Sequence, residues 1–290
     1  MKILYIGSDG DLSLQPLRYL LQSDHQVCAV AVDLHPALTN LDPRFPVFTG
    51  DENAIETLAR TSALPVINLF APLQDVIATI TQLQPDLILV SCYARKLPQE
   101  ILDIPALGSF NFHPSMLPAY RGPVPVFWQF HDGVSEFGVT LHRMTQSMDA
   151  GEIVAQSKVI MPDGVNQSRA HQLLAEAYVE LLPGFLSVIT SGALPTCEQN
   201  QSEMSYQSFP TLDDFRVSTD WPAKRIFNFI CATVHYGAVY PCAIAGTDYR
   251  LHSALGYSEE QLPEEECVID GNTIQIACNP GVLLARLVHD

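Results

Sequence analysis

The sequence predicts an α/β protein: a mostly parallel sheet with helices on both faces, followed by a smaller β-rich domain. Three observations predict it. Short apolar runs of strand length alternate with segments of helical periodicity, the order that produces parallel strands joined by crossover helices. A long amphipathic segment at 167–189 closes that series. Past Tyr236 the pattern changes to period-2 runs separated by Gly, Asn and Pro, which suits a small antiparallel sheet or barrel.

Each element has its own signal. KILYIGS (2–8) is an apolar run ending in Gly, which suits a buried strand. Leu14, Leu17, Leu20 and Leu21 recur at helical spacing up to Gln22. VCAVAVD (27–33) reads as a second buried strand, and 34–53, with three prolines, as irregular. NAIETLARTSA (53–63) fits a helix capped by Asn53. LPVINL (64–69), DVIATITQL (75–83) and DLILVSCY (86–93) read as strand, helix, strand. VTLHRM (139–144) and EIVAQSKVIM (152–161) look like further strands. The helix at 167–189 ends the first domain, 1–195, and the polar stretch 196–210 reads as a linker. The second domain, 211–290, opens with a helix in WPAKRIFNFICAT (221–233) and continues in five short β-runs. At roughly 150 residues per domain, 290 residues accommodate both.

Composition removes several function classes. A net charge of −17 repels phosphate backbones, so nucleic acid is a partner only if a local basic patch overrides it. The seven cysteines are scattered without a CxxC, as in a reduced cytosolic set. The N-terminus is too short for a signal-peptide core, and no apolar run nears the roughly 18 residues of a membrane span. A cytoplasmic protein without membrane contact is expected. The first strand ends in GSDGD, which lacks the dinucleotide-binding glycine pattern, and no Walker A sequence follows. His131, His142 and His171 have no metal-ligand spacing and read as structural or exposed, so no metal is expected.

One stretch, NFHPSMLPAYRG (111–122), collects an amide, an imidazole, a hydroxyl and a guanidinium where prolines forbid a long helix. In SFNFH (109–113) the alternation with Phe110 and Phe112 puts Asn111 and His113 on one strand face, next to the break at Pro114. Ligands of open parallel sheets gather at such carboxyl ends. Asp149 follows the strand GVTLHRM in a turn, SMDAGE, that returns a carboxylate toward His113. An amide donor for an oxyanion, an imidazole to relay a proton and a carboxylate to orient it suit acyl or formyl transfer to an amine.

NFHPSMLPAYRG, GVTLHRM and MDAGEIVAQ together resemble the signature of the folate-dependent N-formyltransferases, a family that includes methionyl-tRNA formyltransferases and amino-sugar N-formyltransferases. The resemblance covers most of residues 1–190, and the C-terminal region is similar to the barrel domain of the tRNA and sugar branches. It implies a Rossmann-like catalytic domain, an OB-like barrel behind it, and 10-formyltetrahydrofolate as the donor. It makes Asn111, His113 and Asp149 the catalytic residues. It implies a folate pocket between SCYARKLP (91–98) and MTQSMDAG (144–151), with Tyr93, Ala94, Arg95, Leu97, Met144 and Gly151 as contacts. Ser115, Arg121 and Gly122 are candidates for the acceptor side. Ser115 also reads as a turn cap, and Arg121 as a tie from the loop to a carboxylate.

The acceptor is then a choice among amines. Methionyl-tRNA formyltransferases carry a basic loop after the second strand, whereas 33–48 here has Arg44 against Asp33 and Asp42. Phosphate neutralisation is where RNA affinity originates. A small acceptor is therefore expected: a nucleotide-linked amino sugar, an amino acid or a carrier-bound aminoacyl group. Transfer to methionyl-tRNA is the alternative, and an inactive folate-binding or interaction protein the second. A homodimer is admitted.

Overall fold

A computed structural model describes residues 1–33, 54–192, 194–260 and 266–288. The stretch 34–53, with Asn53 and Arg44, lies outside the described residues, and with it the sequence-based expectations for an irregular segment and for an Asn53 cap. The chain divides into two compact units. The first comprises 1–125, 136–159 and 171–208, the second 126–135, 160–170 and 209–290.

The first unit is built on a seven-stranded sheet. Its strands are β1 (Lys2–Gly7), β2 (Gln26–Val32), β3 (Val66–Asn68), β4 (Leu87–Ser91), β5 (Ser109–His113), β6 (Glu136–Arg143) and β7 (Ile153–Ile160). They lie in the order β3-β2-β1-β4-β5-β6-β7. The ladders from β3 to β5 are parallel, and β6 turns antiparallel against β5. Ile3, Leu4, Tyr5 and Ile6 of β1 and Leu87, Ile88 and Leu89 of β4 are fully buried, as continuous apolar strands covered on both faces must be. Helices α1 (Asp11–Gln22), α2 (Ala54–Thr61), α3 (Leu73–Leu83) and α4 (Gln99–Leu102) fall between them, as the alternating pattern requires. Chain order along the sheet reverses between β1 and β4, which opens the crevice where such sheets bind ligands.

After α5 (Pro125–Asp132), the long helix α6 (Gln167–Ser191) fixes the orientation of β5. Its length and composition would allow it to cross a membrane. Here Leu174, Tyr178, Leu182, Phe185 and Ile189, three or four residues apart, form a buried stripe. Phe185 meets Phe110 edge-on at 5.0 Å, and Tyr178 lies against Phe112 at 4.6 Å. Because side chains alternate across a strand, that packing turns Asn111 and His113 to the opposite face.

The second unit carries α7 (Ala223–Thr233) and the five antiparallel strands β8 (Tyr240–Ile244), β9 (Thr247–Ser258), β10 (Cys267–Asp270), β11 (Thr273–Ala277) and β12 (Val282–Leu287). All five C-terminal β-runs of the sequence are strands, in the order β10-β11-β12-β9-β8. Its core is aromatic: Phe127 packs on Phe215 at 5.3 Å and on Phe229 at 5.4 Å. This explains why 126–135 groups with residues far along the chain rather than with its sequence neighbours. Conversely, 196–208 groups with the first unit: Cys197 pairs antiparallel with Ile153, and Arg121 forms a parallel bridge with Tyr206. This polar stretch lies as a strap against the loop 118–122, to which Ser205 and Gln207 are hydrogen-bonded.

Phe185→Ala should cost about 3–5 kcal/mol, the usual penalty for emptying an aromatic core site, read as a lower midpoint in urea unfolding.

Candidate active site

β5 ends at His113 and Pro114 turns the chain out of the sheet. Residues 114–117 are held to β6 by Thr140, whose hydroxyl donates to the Ser115 carbonyl at 2.7 Å and accepts from the Leu117 N–H at 3.1 Å. The chain then passes Tyr120 at φ +60° and reaches Gly122 at φ +120°. A Cβ on Gly122 would come within 2.1 Å of the Gln207 carbonyl, so only glycine fits under the strap.

That backbone sets the state of His113. Its Nε2 lies 2.8 Å from the Tyr120 carbonyl oxygen, which can only accept, so Nε2 carries the hydrogen. Nδ1 faces Asp149, 3.7 Å from Oδ2. Burial lowers the affinity of His113 for a second proton, Asp149 and the Tyr120 carbonyl raise it, and burial wins. The resting imidazole is neutral, with its lone pair on Nδ1. Asp149 stands at φ +52°, and its Oδ2 accepts the Gly122 N–H at 3.0 Å. Burial opposes its ionisation. The positive charge of His113 and His142 in their protonated forms, and the Gly122 N–H, outweigh that and hold the carboxyl well below the usual range.

Asn111 lies beside His142, its partner in the β5–β6 ladder. His142 Nδ1 donates to the Arg143 carbonyl at 2.9 Å, so its Nε2 accepts from Asn111 Nδ2 at 3.2 Å. Asn111 keeps its second N–H for another acceptor. The same Nε2 is 3.6 Å from Asp149 Oδ1. Sequence reasoning passed over His142 as structural or exposed. It is buried and touches both the amide and the carboxylate side of the cluster. The signal that finds it is register: once β6 pairs antiparallel with β5, the His of VTLHRM falls opposite Asn111.

These groups border one open cleft. Its lining includes Asn111, His113, Asp149, Gly122, Tyr93, Ala94, Arg95, Leu97 and Met144, all singled out from sequence. It adds Cys92, Lys96, Pro123, Thr145 and Met148, which were not. Burial pushes the Cys92 thiol up to about 12, which keeps it protonated and unreactive. Arg95 forks onto Asp33, with Nε 2.9 Å from Oδ2, and its guanidinium sits 4.0 Å over the Phe70 ring. Tyr93 donates to the same carboxylate at 3.1 Å.

Three expected contacts are elsewhere. Ser115 is fully buried and donates to the Ala119 carbonyl at 2.7 Å, the turn-cap role. Arg121 turns inward and donates to Gln199 Oε1 at 2.6 and 3.1 Å, an amide rather than the carboxylate expected. Gly151 does not line the cleft. A Cβ there would sit 1.9 Å from the Arg143 carbonyl, so the residue serves close backbone packing beneath Asp149. Among the described residues no cluster of His, Cys, Asp and Glu is placed to hold a metal ion.

Known proteins align with this architecture. Residues 49–186 match the formyl transferase family. Among solved structures, the chain resembles WlaRD, a sugar 3N-formyltransferase captured with dTDP and 5-N-formyl-THF. Identity is 16%, the TM-score 0.70, and coverage 100% of this chain and 98% of that one. An N-formyltransferase from Helicobacter canadensis, solved with folinic acid and dTDP-3-aminofucose, matches at 17% identity and a TM-score of 0.72 over 99% of both chains. HypX from Aquifex aeolicus, solved with tetrahydrofolic acid, matches at 20% identity and a TM-score of 0.61, over 98% of this chain but 43% of its own.

Two outcomes follow for the isolated protein. Ser115→Ala should cost about 1–3 kcal/mol, since it leaves the Ala119 carbonyl without its buried donor, and should leave ligand affinity unchanged. Stability should also fall on acidification from about pH 6.5: the unfolded chain takes up a proton at His113 that the native site, with its lowered affinity, refuses. Urea midpoints at about pH 7.5 and about pH 5.5 should converge in His113→Asn relative to the parent.

Proposed function

We propose, from the match of residues 49–186 to the formyl transferase family, that this chain transfers a formyl group from 10-formyltetrahydrofolate to the amine of a small acceptor. A nucleotide-linked amino sugar is the favoured acceptor class. The observation that carries the reading is the convergence of Asn111, neutral His113 and ionised Asp149 on one end of a cleft whose remaining walls are largely apolar. Leu97, Met144 and Met148 suit a flat heterocycle, and the polar cluster lies where its reactive group is needed.

The folate substrate supplies a formyl group on a nitrogen that departs as an amine. The acceptor amine attacks the formyl carbon, forming the new C–N bond and moving the C=O pair onto oxygen; the old C–N bond breaks when this tetrahedral intermediate collapses and the pair returns to the carbonyl. The uncommitted N–H of Asn111 donates to the oxyanion that develops on the formyl oxygen. His113 Nδ1 takes the proton released by the attacking amine, and Asp149 stabilises the imidazolium so formed. The same proton then goes to the departing nitrogen. The Tyr120 carbonyl keeps the ring in the tautomer that leaves Nδ1 open.

Two considerations support a small acceptor over RNA. The net charge of −17 works against a phosphate backbone. The similar sugar N-formyltransferases span both units of this chain, and one was solved with a nucleotide-linked amino sugar.

Asn111→Ala should lower kcat about 10²–10³-fold, the usual cost of removing one oxyanion donor. Asp149→Asn should lower it comparably and leave KM for the folate near that of the parent. Folate release followed by absorbance across nucleotide-linked amino sugars, free amino acids and Met-tRNA identifies the acceptor. Fast formylation of Met-tRNA with a steep salt dependence would overturn the small-acceptor reading. Unchanged turnover in both variants would overturn the catalytic assignment.

A further inference from the structure

Gln199 and Arg121 are each 6% exposed, and the reaction as written uses neither. Burying an amide and a guanidinium is costly unless their hydrogen bonds are made. The Gln199 oxygen accepts both Nε and Nη2 of Arg121, at 3.1 and 2.6 Å. The Gln199 Nε2 donates to the Asp149 carbonyl and to the Gly151 carbonyl, each at 2.7 Å. All of its donor capacity goes to the backbone on either side of Ala150.

We propose that Gln199 is a positioning residue for the transfer reaction: its amide clamps the turn 149–151 and so fixes the Asp149 carboxylate against His113. The proposal rests on the formyl-transfer reading and names a residue outside the family's sequence signature. The geometry gives three reasons. Asp149 is held at φ +52°, a conformation that a non-glycine residue keeps only where its surroundings impose it. The side chain of Asp149 is tied to the loop 118–122 through Gly122 N–H, and its main chain to the same loop through Gln199 and Arg121. The amide cannot flip, because Arg121 presents donors and the turn presents only acceptors. Position 199 is delivered by the Cys197–Ile153 bridge two residues earlier. Arg121 has no carboxylate partner among the described residues, so its fork is available to orient the amide.

Gln199→Glu separates clamping from folding. It keeps an acceptor for Arg121 but removes both donors and sets a carboxylate against two carbonyls. The expected result is a kcat about 10- to 100-fold lower, in line with the cost of small misplacements of catalytic groups, with KM for both substrates within about twofold of the parent. Gln199→Met, which adds no charge, should show the same loss of kcat. It should also move the titration of His113, followed by NMR without substrates, to lower pH and toward that of Asp149→Asn. The groups facing His113 are Asp149, His142, Arg121 and the Tyr120 carbonyl, and of the ionisable ones Asp149 is what favours its protonated form. A folded Gln199→Glu variant with kcat within about twofold of the parent, or a loss confined to KM, would overturn the proposal. If the parent formylates no amine, the formyl-transfer reading falls by itself. An unchanged His113 titration in Gln199→Met then overturns the clamp.

Discussion

The site depends on the pleat of a five-residue strand. In β5, Phe110 and Phe112 are committed to α6, and the period of two leaves Asn111 and His113 on the face toward the cleft. A slip of one residue would bury the amide and imidazole under the helix and expose two phenylalanines. The cost of that exchange is several kcal/mol of apolar burial plus two stranded polar groups, so the register cannot drift. Core packing on one face thus specifies chemistry on the other. The sheet's topology adds the location: β5 ends beside β4, past the point where strand order reverses, and the loop after β4 supplies the opposite wall.

Charge at the site is governed by backbone groups as much as by side chains. A buried imidazole beside a carboxylate has two stable arrangements, an ion pair or a neutral ring facing an anion. The Tyr120 carbonyl satisfies the His113 Nε2 hydrogen, and burial disfavours a second proton. The Gly122 N–H stabilises the anion on Asp149. The result is a base with its lone pair directed at the group that will stabilise it once protonated. Both backbone donors and acceptors sit in the loop 118–122, whose unusual torsions at Tyr120 and Gly122 bring a carbonyl and an N–H to opposite ends of the same pair.

Much of this was legible in the sequence, and the remainder fails for identifiable reasons. Strand and helix identities followed from apolar periodicity because both sheets obey it. The strand face shared by Asn111 and His113, the proline break and the turn at Asp149 are local signals; the catalytic role given to the three rested also on the family resemblance. His142 did not, because its role depends on which residue it faces across β5–β6, and pairing register is not local. Ser115 and Arg121 stood open between an acceptor contact and a turn cap or loop tie, because sequence does not say which way a polar loop side chain turns. In this loop the backbone itself is buried under the strap, and its carbonyls and the Gln199 amide needed those donors. Gly151 shares a motif with Asp149, but glycine has no side chain to offer a ligand, and the Arg143 carbonyl occupies the space where one would stand.

The strap 196–208 changes what counts as the unit that builds the candidate site. By composition it is a linker: polar, without periodicity, between a long helix and a β-rich segment. By contacts it belongs to the first unit, pairing with β7 at Cys197 and with the loop 118–122 at Tyr206. Ser205 accepts the Arg121 N–H through its carbonyl at 3.0 Å and the Tyr120 N–H through its hydroxyl at 2.8 Å. Those bonds supply donors and acceptors to a loop that prolines and left-handed torsions have withdrawn from regular structure. Strained backbone at Tyr120 and Asp149 costs on the order of 1–3 kcal/mol each and persists only where neighbours over-determine it. The strap supplies that over-determination for both halves of the site, so a tract with no motif of its own holds the geometry on which the motif's chemistry depends.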